Sequence, residues 1–153
     1  QTLYFAQQGV GAFVLEQNST IPKPIYTTAF QPLTPLRVLA SRRHAENTQF
    51  KHFRSQLPAH EVLSCGSALK FCWLASGKGD VYPRFGATGE WDTAAGHCLL
   101  EAAGGALYSL DGQPFYYNKR ETLINQAFVA VSGPKVWELS RAIVDKGVNN
   151  STT

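Results

Sequence analysis

Methionine is absent from this sequence of 153 residues. A chain without methionine does not begin at its own translation start, so a processed or truncated product is expected. The sharper expectation is that half of a longer protein lies elsewhere. Long apolar runs are missing too. None approaches the roughly 18 residues needed to span a bilayer, and no secretory signal pattern opens the chain, so no transmembrane segment is expected. Charge is sparse: 16% of residues are Asp, Glu, Lys or Arg, and the net charge is +3. That mild surplus suits a small anionic ligand and gives no reason to invoke a nucleic-acid polymer. Cysteine is scarce. Cys65, Cys72 and Cys98 make an odd count, and their spacing matches no common zinc or redox pattern. Cys65 and Cys72 read as core or near-core thiols of a reducing compartment rather than as a disulfide. The location expected is cytoplasmic, or peripheral at the inner membrane.

What is present is enough to fold. Hydrophobic residues make up 44% of the chain, which excludes a disordered composition and permits a real core. Residues 3–6 and 11–15 are short apolar stretches around Gln7-Gln8-Gly9-Val10-Gly11, the pattern of a β-hairpin with glycines at its turn. A connector over 17–36 follows, with Pro22, Pro24, Pro32 and Pro35 breaking regular structure, so it reads as extended and exposed.

From Arg37 to about residue 147 strands alternate with helices. Strands are expected at 37–41, 61–63, 79–82, 105–108 and 127–131. Helices are expected at about 47–57, where Phe50, Phe53 and Leu57 share a face, and at 67–75, 92–103 and 134–145, with residues 148–153 as a frayed tail. The fold class predicted is α/β, a layered mixed sheet with flanking helices, preceded by a hairpin over 1–16. There is no internal repeat.

Several side chains could carry chemistry. Asp92 stands where a helix should begin, with Ala95, Cys98 or Leu99, and Ala102 as an apolar stripe and Gly104-Gly105 as the stop. Taken alone, such an aspartate is a helix cap, and the same environment keeps it ionised, as a hard divalent cation requires. Ser67 and Lys70 lie three apart at the start of a helix, a hydroxyl and an ammonium on one face; an N-cap with a solvated lysine is the plain alternative. Arg84 follows a strand beside Pro83 and could grip a phosphate bidentately or simply be a surface arginine. His44 follows the first strand of the α/β segment, and a lone histidine there is as readily structural. Tyr82 and Phe85 could flank a base, with core packing the default. His52, His60 and His97 have no ligand-like spacing, and no function is assigned to them.

The wider pattern around Asp92 is more specific. Trp91-Asp92-Thr93-Ala94-Ala95-Gly96, three apolar positions from Cys98 to Leu100, and Gly104-Gly105 together resemble the second sequence motif of the inositol-monophosphatase superfamily. Ser41-Arg42-Arg43-His44, Gly66-Ser67-Ala68-Leu69-Lys70-Phe71, Asp80-Val81-Tyr82-Pro83-Arg84-Phe85-Gly86, Pro114 and Arg120-Glu121-Thr122-Leu123-Ile124-Asn125 are similar to bacterial 3′(2′),5′-bisphosphate nucleotidases. The likeness runs from about Tyr4 to Val131. It implies a magnesium-dependent phosphatase that converts adenosine 3′,5′-bisphosphate, a product of sulfate assimilation, to AMP and phosphate by in-line attack of water, with inhibition by lithium. On this resemblance Asp92 is a metal ligand and catalytic residue, and Ser67, Lys70, Arg84 and His44 bind the nucleotide. An inositol or sugar monophosphatase, and a catalytically inactive fragment, are the alternatives.

The superfamily's first motif, Asp-Pro-x-Asp-Gly-Thr, occurs nowhere in the chain, and neither does an upstream Glu-Glu pair. In the family those carboxylates hold two or three magnesium ions. One aspartate cannot complete near-octahedral oxygen ligation. The expectation is therefore a carboxyl-terminal half, inactive alone, whose partner is the amino-terminal half of the same protein on a second chain, and whose hairpin belongs to that half's sheet. An exposed sheet edge and apolar surface are expected where that half packs.

Overall fold

Strand β4 (Leu36–Ala40) sends Leu36, Val38 and Ala40 to one side and Leu39 to the other, and all four side chains are buried. A strand buried on both faces must be covered on both, and that requirement organises the molecule. In the computed structural model, which describes residues 1–41, 47–66 and 68–149, β4 lies inside a five-stranded mixed sheet. The order is β5 (His60–Ser64), β4, β6 (Val81–Arg84), β10 (Phe128–Val131), β8 (Ala106–Ser109). β4 pairs in parallel with β5 and β6, whereas β10 is antiparallel to both β6 and β8.

One face of this sheet, with Val38, Val81, Val129 and Val131, packs against α1 (Thr48–Ser55) through Phe50 and Phe53 and against α4 (Pro134–Asn149) through Val136 and Ile143. The opposite face, with Leu39, Tyr82, Phe128 and Ala130, packs on α2 (Leu69–Ala75) through Phe71 and Leu74 and on α3 (Glu90–Ala102) through Leu100. Phe71, Tyr82 and Phe128 meet edge-on or stacked, with centroids 5.4–6.1 Å apart.

A further layer lies beyond α2 and α3. β1 (Leu3–Gln7), β2 (Gly11–Leu15) and β3 (Lys23–Ile25) form an antiparallel sheet whose Ala12 and Ile25 pack on Ala75, Leu99 and Ala103. The β1–β2 turn is the expected hairpin: Gly9 and Gly11 have φ of 77° and 134°, conformations a Cβ disfavours. Its outer side carries Phe5 stacked on Phe13, with Leu3 and Phe5 exposed and β1 at the sheet edge.

The α/β class and the mixed sheet are as the sequence predicts, with corrections in detail. The proline-rich segment is not wholly irregular, because Pro24 sits in β3, an edge strand where no ladder hydrogen bond is demanded of it. The short pair β7 (Thr88–Gly89) and β9 (Ile124–Asn125) was not anticipated. Helix α4 continues to Asn149, through residues expected to be tail. Among the described residues no helix is long and apolar enough to cross a membrane.

Candidate functional site

α3 begins at Glu90, not Asp92. Gly89 is the N-cap, in extended backbone with φ −79° and ψ 153°, and Asp92 occupies the third helical position. From there its carboxylate reaches back: Oδ2 accepts the Gly89 N–H at 2.9 Å. The capping role read from the sequence is real, but it is performed from inside the first turn. Asp92 is exposed, so a carboxylate that has spent one lone pair on the cap still presents the rest outward.

The apolar stripe of α3 also differs from expectation. Ala95 and Cys98 are exposed, and the inward face is Thr93, Gly96, His97, Leu99 and Leu100. The inward face is the one that packs on α2 and the central sheet, with Leu100 in that core and Gly96 against Phe71. Gly96 has a specific reason to be small: a Cβ there would stand 2.5 Å from Phe71 Cδ2 and 2.6 Å from Cγ, so α2 and α3 touch at this point.

A buried polar network holds the start of α3. Glu90, almost without solvent contact, takes Arg120 Nη2 on Oε1 at 2.8 Å and the Asn118 N–H on Oε2 at 2.8 Å. Asn125, 3% exposed, donates from Nδ2 to Gly89 O and Thr93 Oγ1 at 2.9 Å and to Thr88 Oγ1 at 3.1 Å. His97 is buried against Tyr117, Nδ1 to hydroxyl 3.1 Å, with Nε2 3.2 Å from Glu101. Burial outweighs Glu101 and holds the His97 pKa below the ordinary value. Glu90, Asn125 and Tyr117 were missed as site residues. Asn125 closes the Arg120–Asn125 segment of the family likeness, which marked it without giving it a role; Glu90 and Tyr117 meet their partners 20–30 positions away, where no local pattern pairs them.

Lys70 is not the solvated lysine of the plain alternative. It is 2% exposed, with Nζ 4.9 Å from the Tyr82 ring centroid and 3.4 Å from Cys65 O. Burial lowers its pKa first, Cys65 opposes that, and Arg84 adds to it. Tyr82 is pushed up to about 12, by burial above all; Arg84 pulls it down, while Cys65 and Asp92 push it further up. One tyrosine therefore stands within electrostatic reach of Lys70, Arg84 and Asp92, three residues from three separate elements.

Arg84, at the end of β6, turns back on its own loop: Nε donates to Gly86 O and Nη2 to Ala87 O, both at 3.1 Å. Those bonds splint the guanidinium against its own loop. A small pocket opens here at the carboxyl ends of the parallel strands β4 and β6, lined by Ser41, Asn47, Tyr82, Arg84 and Phe85 among others. The chain leaves β4 toward β5 on one side and returns to β6 on the other, so this is the topological switch point of the sheet, where α/β proteins gather ligands. Tyr82 is core, and Phe85 packs on Phe53 at 5.9 Å, as the default reading of both had it. Ser67 and His44 lie outside the described residues.

Cys65, Cys72 and Cys98 are all free; the first two are half-buried, and burial raises both of their pKa values. Among the described residues no group of three His, Cys, Asp or Glu side chains could hold a metal ion. Asp92 is thus a single exposed carboxylate, a hard oxygen donor able to fill one position on a divalent cation and insufficient as a cage.

Comparison with known proteins agrees with this frame. The 3′(2′),5′-bisphosphate nucleotidase CysQ of Escherichia coli (strain K12) is 45% identical over 94 residues, which cover 61% of this chain and 38% of that protein. The protein of the same name from Salmonella typhimurium (strain LT2) is 36% identical over 128 residues, 84% of this chain and 49% of that one. The crystal structure of CysQ from Bacteroides thetaiotaomicron superposes with a TM-score of 0.70 at 32% identity, covering 86% of this chain and 54% of that one. Staphylococcal IMPase-II, at 19% identity and a TM-score of 0.74, shares the fold. The chain spans half or less of the length of these curated relatives, 38% and 49%. A sequence model of the inositol monophosphatase family matches residues 1–142, and the chain belongs to that family.

Proposed function

We propose that this chain is the carboxyl-terminal part of a magnesium-dependent phosphatase that hydrolyses adenosine 3′,5′-bisphosphate to AMP and phosphate. The observation that carries the reading is the exposed Asp92 carboxylate, committed only through Oδ2 to the Gly89 N–H, in a lobe where Lys70 packs on the Tyr82 ring and Arg84 lines the pocket beside Tyr82. An exposed carboxylate is suited to one metal position, and two cations on the Tyr82 wall are suited to phosphate. Relatives named as bisphosphate nucleotidases at 36–45% identity support the substrate class.

In this proposal Asp92 contributes one oxygen to magnesium, and the remaining ligands come from an amino-terminal half carried by a second chain. Its exposure, with only Oδ2 committed to Gly89, fits that role. When bound, the metal would supply charge neutralisation and a more acidic water. Arg84 would hold the phosphate that does not react, splinted for the purpose by its two loop carbonyls. Lys70, with Ser67 and His44 from the neighbouring segments, would bind the nucleotide; its depth makes it a fixed charge rather than a searching one. The exposed β1 edge and the Leu3–Phe5 surface would be covered by the amino-terminal half, and the chain alone would not turn over.

The test is Asp92→Asn in the reunited protein. The amide still accepts the Gly89 N–H, so the fold should persist while turnover falls by on the order of a hundredfold or more. Near-normal turnover would make Asp92 a cap and nothing else. Assay of adenosine 3′,5′-bisphosphate beside inositol 1-phosphate decides the substrate, and preference for inositol phosphate would overturn the nucleotidase reading.

A further inference from the structure

We infer that Asn125 is a positioning residue for Asp92, acting through the Gly89 peptide groups; the inference rests on the reading of Asp92 as a metal ligand. Gly89 is held at both of its backbone polar atoms. Its N–H goes to Asp92 Oδ2 at 2.9 Å, and its carbonyl receives Asn125 Nδ2 at 2.9 Å. The direction of that N–H sets which way the carboxylate turns, because Oδ2 follows the hydrogen and Oδ1 is left facing out. The orientation of the Asp92 carboxylate therefore depends on what fixes Gly89.

Asn125 is built to fix it. The side chain is 3% exposed, and the same amide nitrogen touches Thr88, one residue before Gly89, and Thr93, one residue after Asp92. It thus brackets the whole turn from β7 into α3. Its carbonyl oxygen lies 3.4 Å from Arg120 Nη2, the nitrogen that pairs with Glu90 at 2.8 Å. The Glu90 N–H is itself tied to Leu123 O at 2.8 Å. Segment 118–125 therefore grips both residues that precede Trp91 and Asp92. Gly89 has no side chain of its own to stiffen it, and the restraint seen on its carbonyl comes from Asn125.

The bland account is that Asn125 only ties β9 to α3. The two accounts part on metal affinity. The experiment takes wild type, Asn125→Ala, Arg120→Lys and Asp92→Asn, each reunited with the amino-terminal half, and titrates manganese as the probe. Bound Mn²⁺ is read from the loss of the free-ion paramagnetic resonance signal, and thermal midpoints are recorded without metal. Partners behind a ligand typically alter metal affinity by about 10–100-fold. Asn125→Ala should weaken Mn²⁺ binding by about tenfold, at the low end of that range. Arg120→Lys keeps a cation for Glu90 but loses the reach to Asn125, so it should fold and weaken binding by a smaller factor. Asp92→Asn should weaken it at least as much as Asn125→Ala. If both network variants bind Mn²⁺ like wild type while their midpoints fall, Asn125 is a strut and the inference is overturned. Should Asn125→Ala not fold, Arg120→Lys decides by the same criterion. If Asp92→Asn also binds like wild type, the failure lies in the reading of Asp92, and the inference falls with it.

Discussion

Lys70 sits with its ammonium 4.9 Å from the centroid of the Tyr82 ring, and both residues are buried. A buried cation is retained at a cost in solvation, and here burial is the first cause of its lowered pKa. Between its folded value and the ordinary 10.5 the folded state binds fewer protons than the unfolded one, so wild-type stability should rise with pH across that window. Lys70→Met removes this dependence. The stability difference between variant and wild type, measured by urea denaturation from neutral pH upward, should therefore shift in favour of wild type as pH rises. The same variant should raise KM for adenosine 3′,5′-bisphosphate by about tenfold, the order of one charged hydrogen bond. A KM unchanged in the reunited protein would remove Lys70 from the nucleotide site.

Asp80 binds three donors of Arg37, the backbone N–H at 2.7 Å, Nε at 3.0 Å and Nη2 at 2.7 Å, and so ties the start of β4 to the start of β6. Breaking such a pair strands the arginine, and Arg37 keeps some solvent contact, which moderates the loss. Asp80→Ala should cost about 3 kcal/mol, the low end for a broken buried pair. Chemical denaturation measures it, and a loss under about 1 kcal/mol would class the pair with surface ion pairs.

Gly96→Ala tests why the motif is small at that position. Alanine is the better helix former by about 1 kcal/mol. Its Cβ would nevertheless meet the Phe71 ring at 2.5 Å, an overpacking that costs about 1–3 kcal/mol in cores. Net destabilisation is expected, with α2 displaced and the Phe71–Tyr82–Phe128 cluster loosened. A thermal midpoint at or above wild type would show that the ring moves aside freely.

His97 is held neutral by burial, its folded pKa lying below the ordinary 6.5. Below that ordinary value the unfolded chain takes up protons more readily, so stability is present above 6.5 and is lost as pH falls toward the folded pKa. Glu101 opposes the shift and limits the loss. His97→Gln, which retains a polar group for Tyr117, should flatten the stability profile between pH 7.5 and 5. Parallel profiles for the two proteins would assign the acid sensitivity to other groups.

Much of this was legible in the one-dimensional pattern. The turn over Gln7–Gly11 had glycines where positive φ was needed, and from Arg37 onward short apolar runs alternating with helical segments, such as the one with Phe50, Phe53 and Leu57 on one face, gave the order of elements. Asp92, Lys70 and Arg84 were legible as candidates because each lies in a short local motif. The Glu90–Arg120 pair and the contacts of Asn125 with Thr88, Gly89 and Thr93 were not, because these partners meet only after β9 returns to β7.

The sequence by itself determined the fold class, the α/β order and the family likeness, since these rest on local periodicity and contiguous motifs. Only the tertiary structure decided what the motif residues do beside one another. It moved the helix start to Glu90 and made Asp92 a carboxylate that caps from the third position. It buried Lys70 against Tyr82 and set Asn125 behind Gly89. The physical reason is that burial and hydrogen-bond direction belong to pairs of groups brought together by packing, and a chain read in order does not contain those pairs until it has folded.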